Sequence, residues 1–282
     1  MKFQTLSLVM LALVAFAANS ILARAALTAT AIDPLSFTVI RIVSGALMLW
    51  LIVRMRPGLA DGRGSWASAL ALFGYAVAFS VAYLSLTAAT GALLLFGAVQ
   101  VTMVSWSLVT GARLTPRQWI GFALAMAGLV WLLLPGLAAP PTLPAALMIA
   151  AGVAWGIYTL RAKGAGDPTR VTASNFLLAS VPAIVLALAM PLGFVSAASI
   201  DLPGIALAVA SGALASGLGY AVWYAALKHI QTSTAAVAQL SVPVITAVAG
   251  VALLSESLTL RLVFAGAAVL GGIALVVLER KE

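Results

Sequence analysis

The chain has 282 residues, of which 63% are hydrophobic and 8% are charged, with 15 Lys and Arg against 7 Asp and Glu. A soluble domain carries about 25% charged residues, because water must solvate its surface. The composition therefore excludes a soluble globular domain, and its hydrophobicity excludes an intrinsically disordered chain. The sequence has no cysteine and one histidine, His229, so disulfides, thiolate nucleophiles and a histidine cluster for zinc are all excluded.

Ten apolar segments follow one another along the chain. Each is about 20 residues long, the length of helix that crosses a hydrocarbon core of about 30 Å. The segments lack the alternation of a β-barrel, and almost every charge falls between them. The sequence therefore predicts an all-α polytopic membrane protein with ten transmembrane helices. The predicted spans are 5–23, 34–53, 65–87, 90–110, 116–134, 143–160, 171–191, 202–227, 231–254 and 260–278.

The positive charges predict the orientation of the chain. With the N-terminus in the cytoplasm, twelve of the 15 Lys and Arg residues lie on the cytoplasmic side and only Arg24 and Arg261 lie opposite, while Arg41 is inside the second span. Because positive loops stay in the cytoplasm, both termini are predicted to be cytoplasmic. A competing interpretation of the N-terminus is a cleavable signal peptide ending near residues 23–25, although the apolar run is long for one.

Several short patterns recur in the same order in the two halves of the chain. The matching positions are Asp33-Pro34 with Asp167-Pro168, Phe16 with Trp155, Arg24 with Lys163, and segment 114–117 with segment 258–261. They predict two five-helix repeats, 1–138 and 139–282, within one integrated transport domain. Five is an odd number of spans, so the second repeat enters the membrane from the opposite side, a plan that recurs among secondary transporters.

Four further features resemble a known family. They are Trp155-Gly156 in the sixth span, Arg41 in the second, Pro243 in the ninth, and Glu256 with Leu258-Thr259 before the last. In these features and over essentially its whole length, the chain resembles the EamA-type ten-helix exporters of the drug/metabolite transporter superfamily. The first repeat departs from this pattern, because residues 112–113 are Ala-Arg where a Glu would match.

The resemblance implies a secondary transporter in a bacterial inner membrane. It implies alternating access through a central cavity between the repeats, with no cofactor and no nucleic-acid partner. The chain looks most like amino-acid exporters, including the aromatic amino-acid exporter, so aromatic or other apolar amino acids are the implied substrates. Export of drugs or other hydrophobic metabolites by the same fold stays open. Two repeats in one chain can close a cavity, so a monomer is sufficient, and an oligomer also stays open.

Polar side chains inside the spans are candidate substrate ligands, because lipid tolerates them only when they pair, pack or function. Gln100 and Gln239 lie near the middle of the fourth and ninth spans, where their amides suit an uncharged or zwitterionic ligand. Arg41 lies roughly 10 Å below the start of its span and could bind a carboxylate. Asn19 and Asn175 are similar candidates. Each of these five side chains could instead bond neighbouring helices.

Aromatic side chains form a second group of candidates. Tyr75 and Phe79 share one face of the third span, and Trp155 and Tyr158 lie three apart in the sixth. Their depth favours the wall of a cavity for these four residues. Three other aromatics lie near span ends, where an interfacial belt is expected. They are Tyr83, Trp223 and Tyr224.

Helix breakers within the spans are candidate hinges, although a static kink is equally consistent with each of them. The candidates are Pro182, Pro243, Gly217 and Gly219. The fifth and tenth spans are rich in Gly and Ala and almost free of polar side chains, so they are expected away from the substrate.

The sequence also excludes some mechanisms. No Asp or Glu lies near the middle of a span, so coupling to protons through a buried carboxylate is not predicted, and uniport or another form of coupling stays open. Glu256 is expected to pair with Arg261 at the last helix. A phosphate-binding G-x-x-x-x-G-K-[ST] motif is absent. The chain also lacks the clustered carboxylates and the nucleophile with a base that a membrane enzyme needs, so no enzyme is predicted.

Overall fold

The structure is a computed structural model that describes residues 3–56, 58, 60–111, 113–136, 138–162, 164–189, 199–230 and 232–278, without the side chains of 232 and 233. Throughout these ranges the regular structure is helical, apart from one isolated antiparallel bridge between Gly62 and Gly166. The predicted all-α polytopic class is confirmed. The predicted ends of the seventh span at 191 and of the ninth at 231 lie outside the described residues, as do Lys163 and the basic residues of both termini.

Twelve α-helices and one π-helical segment make up the described part of the chain. They are α1 Phe3–Ala29, α2 Pro34–Met55, α3 Trp66–Ala82, α4 Ala88–Val109, α5 Pro116–Leu133, α6 Thr142–Ala162, α7 Pro168–Ala189, α8 Leu202–Val209, the π-helical segment Ala210–Leu218, α9 Gly219–Leu227, α10 Thr232–Gln239, α11 Ser241–Leu254 and α12 Leu260–Leu278. Within the described ranges, nine helical spans are long and apolar enough to cross a membrane, and α3 is an apolar helix of 17 residues.

Three predicted spans differ from simple α-helices. The third span is shorter than predicted, because the chain turns after α3 and Thr87 caps α4 by accepting a hydrogen bond from the Thr90 amide at 3.2 Å. The eighth span contains the π-helical segment between α8 and α9. The ninth is interrupted at Leu240, which lies four residues after Ala236 and three before Pro243. Pro243 has no N–H to donate to the carbonyl of Gln239, so the helical hydrogen bonding is broken here.

The helices pack mainly across the two halves of the chain. The pairs α2 with α7, α3 with α6, α4 with α6 and α5 with α12 each join one helix before residue 138 to one after it. The two-repeat division itself stays a prediction. It fits this packing pattern, in which each half packs mainly against the other and not extensively on its own.

The two Asp-Pro corners make corresponding contacts. The Asp33 amide donates to the Ser199 carbonyl at 2.9 Å, and the Asp167 amide donates to the Asp61 carbonyl at 3.0 Å. Each Asp also caps the helix that follows it. Burial acts to raise the pKa of Asp33, but hydrogen bonds from Ser36 and from the Ser199 amide outweigh it and hold the pKa below its usual value.

Candidate functional site

A cavity of about 320 Å³ lies between the two halves of the chain. Helices α1, α3 and α4 line one side of it, and α6, α9, α10 and the first residue of α7 line the other. Helices α5 and α12 contribute none of the described lining residues, and they pack against each other instead.

Seven of the nine predicted substrate ligands line this cavity. They are Asn19, Tyr75, Phe79, Gln100, Trp155, Tyr158 and Gln239. Gln100 comes from α4 and Gln239 from α10, so one amide is contributed by each half of the chain. Arg41 and Asn175 are not among the lining residues.

The cavity wall is a series of packed aromatic rings. The Trp155 ring stacks on Tyr158 with a centroid separation of 5.1 Å and on Tyr220 with 5.5 Å. Tyr75 contacts the same indole with a centroid separation of 4.8 Å, and Tyr220 stacks on Tyr224 at 6.2 Å. These separations fall in the range of favourable aromatic pairs. The rings therefore support one another around the space that they enclose.

The interfacial belt predicted for three aromatic residues is wrong. Tyr83 is fully buried, and its ring packs edge-on against Phe79 with centroids 4.7 Å apart. Trp223 and Tyr224 line the cavity, and the Tyr224 hydroxyl hydrogen-bonds with the Thr172 hydroxyl at 2.8 Å. The sequence placed these residues near span ends, but depth along a helix does not determine which side of the helix a ring occupies.

Arg41 lies behind the aromatic wall. Its Nη2 donates to the Tyr75 hydroxyl at 2.7 Å, and its guanidinium carbon lies 4.6 Å from the Phe79 ring centroid and 5.2 Å from that of Tyr75. Nη1 is buried and has no hydrogen-bond partner among the described residues. The described ion pairs are Arg24 with Glu256 and a longer, exposed contact elsewhere, so no described carboxylate neutralises Arg41.

Asn175 makes a contact between helices. Its Oδ1 accepts a hydrogen bond from the Ser65 amide at 2.9 Å, which ties α7 to the residue that caps α3. Gly64 lies so close to Asn175 that a side chain at this position would collide with the amide. This arrangement matches the interhelical role that the sequence left open for Asn175.

Asn19 is held by two serines that the sequence did not single out. Its Oδ1 accepts hydrogen bonds from Ser211 Oγ at 2.8 Å and from Ser216 Oγ at 3.3 Å. Both serines belong to the π-helical segment. The only sequence signal was the Ser- and Gly-rich composition of residues 211–219, which does not distinguish a π-helix from an α-helix.

The four predicted hinge residues occupy different settings. Pro182 lies inside the continuous helix α7, and Pro243 lies in the first turn of α11, after the interruption at Leu240. Gly217 packs against Met48 of α2 and Gly219 against Ala15 of α1, close enough that an added Cβ would lie 3.0 Å from each neighbour. Both glycines therefore allow close helix packing.

At one end, the described lining stops at Ser20 and Phe79, and about one helical turn beyond them a network connects three parts of the chain and forms the closed end. Arg24 Nε lies 3.1 Å from Glu256 Oε1, and Arg24 Nη1 donates to the carbonyls of Tyr83 and Leu84. Glu256 in turn accepts the Ala88 amide at 2.8 Å and 3.1 Å. The network therefore joins the end of α1, the α3–α4 turn and the α11–α12 connection.

The predicted pairing of Glu256 with Arg261 is wrong. Arg261 Nη2 instead donates to the carbonyl oxygens of Trp131 and Leu134 at the end of α5. Glu256 faces Arg24 because Ser255 adopts a left-handed conformation with φ 54° and turns the chain back, so that the Glu256 amide donates to the Gly250 carbonyl at 3.1 Å. A left-handed serine is uncommon, and the sequence gives no signal for it.

The other end of the cavity is more open. Met103, Ala162 and Leu227 line it near the far ends of α4, α6 and α9, and all three are partly exposed. Pro168, at the start of α7, is exposed. Helix α4 runs from Ala88 in the closed network to Met103 at the open rim, about 22 Å at the rise of an α-helix. The open end is the end of the bundle at which α1 begins.

Comparison with known proteins gives four findings. A model of the EamA-like transporter family matches residues 142–278. An uncharacterized protein of Pseudomonas aeruginosa is 53% identical over 278 residues, which cover 98% of this chain and 96% of that protein. An uncharacterized transporter of Archaeoglobus fulgidus is 29% identical over 229 residues, 77% of this chain and 78% of that protein. A protein of known crystal structure has the same fold, with a TM-score of 0.64 and 21% identity over 96% of this chain and 98% of that chain.

Proposed function

We propose, from the premise that this chain belongs to the EamA-like transporter family, that it exports amino acids with aromatic or other apolar side chains. The chain is a multi-pass membrane transporter, and the proposal concerns its substrate, its direction and its mechanism. The observation that carries the proposal is the cavity of about 320 Å³ between the halves, with aromatic walls and one amide from each half. Its size is at the lower end of small-molecule pockets.

The aromatic walls suit the side chain of such a substrate. Trp155, Tyr158 and Tyr220 form a stacked wall, and Tyr75 and Phe79 contribute further rings. An aromatic or aliphatic side chain that enters this space removes apolar surface from water and gains dispersion contacts with the rings.

The amides and the absence of charged lining residues suit the backbone of an amino acid. Gln100, Gln239 and Asn19 each present hydrogen-bonding groups, and no described lining residue is charged. A zwitterion has no net charge, so its transfer costs less than transfer of an ion, provided that its two ends are hydrogen-bonded. Arg41, behind Tyr75 and Phe79, adds a positive potential that favours the carboxylate end.

The proposed mechanism is alternating access between the repeats 1–138 and 139–282. The cavity is open at one end and closed by Arg24, Glu256 and Ala88 at the other, as expected for one of two end states. With both termini in the cytoplasm of a bacterial inner membrane, the open end faces the cytoplasm and loads the substrate for export. A carboxylate is not among the described lining residues, so the proposed transport follows the substrate gradient.

Counterflow in proteoliposomes tests the substrate. Vesicles are loaded with one unlabelled amino acid, and uptake of labelled phenylalanine is followed without an ion gradient. We expect transient accumulation with phenylalanine, tyrosine, tryptophan or leucine inside and none with aspartate or lysine. A fluorescent organic cation serves as the competing substrate. Exchange of that cation without exchange of any amino acid, by folded protein, would overturn the proposal in favour of drug export by the same fold.

A further inference from the structure

Asn19 occupies a defined place in the cavity. It lines the cavity from α1, yet only 6% of its surface is exposed, and Ser211 and Ser216 are buried to 0% and 1%. The two serine hydroxyls donate to the same oxygen, Asn19 Oδ1, at 2.8 Å and 3.3 Å. A carbonyl oxygen has two lone pairs, so these two bonds use its capacity as an acceptor.

The two bonds determine what the Asn19 amide offers to a ligand. Since Oδ1 is occupied, the group that remains is the Nδ2 amino group, with two N–H donors. Neither donates to a described residue. Nδ2 is also not among the fully buried side-chain atoms that lack a partner, so it has access to the cavity space, and an accessible donor there favours a ligand that carries an acceptor.

The π-helical geometry is what brings the two serines together. Residues five apart on an α-helix differ by about 140° around the axis, so two such side chains point to different sides. In a π-helix, hydrogen bonds join residues five apart, which places Ser211 and Ser216 above one another on one face. An α-helical segment 210–218 could direct only one of the two hydroxyls at Asn19.

We infer that Ser211 and Ser216 are positioning residues that hold the Asn19 carboxamide with its amino group toward the cavity, where it donates to a carboxylate oxygen of the substrate. The inference rests on the proposed function and deepens it, because it assigns one end of the amino acid to one side chain. It also gives the π-helical segment a role. A cation without a carboxylate gains nothing from this donor, so the Asn19 site discriminates by chemical class.

The first test separates positioning from structure with two related ligands, phenylalanine as the substrate and phenethylamine as an inhibitor. Phenylalanine carries the carboxylate, and phenethylamine is the same molecule without it. In the Ser211→Ala/Ser216→Ala double variant we expect the KM for phenylalanine exchange to rise about tenfold with little change in kcat, because a hydrogen bond to a charged group is no longer oriented. Inhibition by phenethylamine should stay unchanged. Ser216→Thr keeps a hydroxyl, so this variant should have the KM of the wild type, unlike a variant with Ala at position 216.

Two further variants complete this test. Ser180→Ala removes another buried serine, whose Oγ donates to the Phe176 carbonyl at 2.9 Å within α7, so it is the matched control and should leave both ligands unaffected. Asn19→Asp keeps the acceptor for both serines but replaces the donor by a negative charge. We expect it to weaken phenylalanine binding and to strengthen phenethylamine binding.

The outcomes distinguish the inference from the function on which it rests. A folded wild-type protein that exchanges no amino acid would overturn both. Wild-type exchange of phenylalanine, with equal losses for phenylalanine and phenethylamine in the serine and Asn19 variants, would overturn the inference alone and leave export in place. Opposite effects of Asn19→Asp on the two ligands would support the assignment, because a merely structural defect cannot strengthen one ligand and weaken the other.

Discussion

Arg41 is a buried cation whose described partners are one hydroxyl and two aromatic rings. The guanidinium lies within 5.2 Å of the Tyr75 and Phe79 centroids, and both rings line the cavity. A cation–π contact is worth about 2 kcal/mol or more when it is desolvated. The charge is close enough to act on a substrate through the wall, without direct contact.

Replacement of Arg41 tests this electrostatic role. Arg41→Gln is expected to raise the KM for phenylalanine exchange several-fold and to leave inhibition by phenethylamine unchanged or stronger, because the positive potential behind the wall is lost. Arg54→Gln is the matched control, since Arg54 is on the same helix and also lies over a ring, that of Trp50, at 5.2 Å. Equal weakening of both ligands by Arg41→Gln would indicate a structural role.

At the residue scale, the sequence indicated which polar side chains lie along the spans, but not which way the aromatic side chains near the span ends point. Gln100 and Gln239 were placed near the middle of their spans, and both line the cavity. Tyr83 and Trp223 were assigned to an interfacial belt because they are near span ends, and both are buried. Position along an apolar run gives depth, whereas the face that a side chain occupies depends on which helices pack beside it. A nearly uniformly apolar sequence does not indicate which helices pack beside one another.

At the scale of helices, the ninth span is interrupted where a cavity residue lies. Pro243 cannot donate to the Gln239 carbonyl, so α10 ends at Gln239 and α11 begins at Ser241. The Leu240 amide bonds to the Val237 carbonyl, three residues back, at 3.0 Å. The proline was visible as a helix breaker, and the structure adds that the break adjoins an amide of the cavity wall.

Substitution of this proline tests the proposed hinge. Pro243→Ala supplies an N–H for the Gln239 carbonyl and is expected to join α10 and α11 into one stiffer helix. We predict that kcat for exchange falls several-fold while the KM changes less, because conformational turnover is slowed more than binding. Pro182→Ala, in the continuous helix α7, is the comparison and should have the smaller effect. An unchanged kcat for Pro243→Ala would make the break a static kink.

The π-helical segment could not have been predicted in the same way. Its composition, with Gly212 and Gly217 among small residues, fits an α-helix of close-packed bundles equally well. In the structure a side chain at Gly212 would collide with the Arg41 carbonyl. The segment therefore packs directly on α2, and this tertiary contact is not recorded in the local sequence.

At the scale of the whole molecule, the two ends of the cavity are not equivalent. The closed end has the Arg24–Glu256 pair, with side chains exposed to 20% and 10%. In the predicted repeats, the counterparts of these residues are Lys163 and Ala112, which lie outside the described residues and include no carboxylate. The same ion pair cannot form at the other end. We therefore expect the state described here to be the more stable one without substrate.

Cysteine labelling tests this asymmetry, because the chain has no native cysteine. Ser20→Cys places a thiol in the cavity lining, toward the closed end. A membrane-impermeant thiol reagent on the side opposite the N-terminus should label this cysteine poorly, and Arg24→Gln should increase the labelling several-fold. Arg261→Gln removes another cation on the same side of the membrane, one that donates to α5 carbonyls. This variant should not increase the labelling. Equal labelling in the presence and absence of Arg24 would show that the ion pair does not hold this end closed.

The cavity between the two halves is the proposed transport site. The most direct measurement is counterflow of labelled phenylalanine by Gln100→Leu/Gln239→Leu, with wild type and Gln118→Leu in matched vesicles. Gln118 lies on α5 outside the cavity and donates to the Val276 carbonyl at 3.1 Å, so it controls for loss of a glutamine. We predict exchange by wild type and Gln118→Leu, and none by the double variant at equal membrane insertion. Undiminished exchange by the double variant would contradict the account.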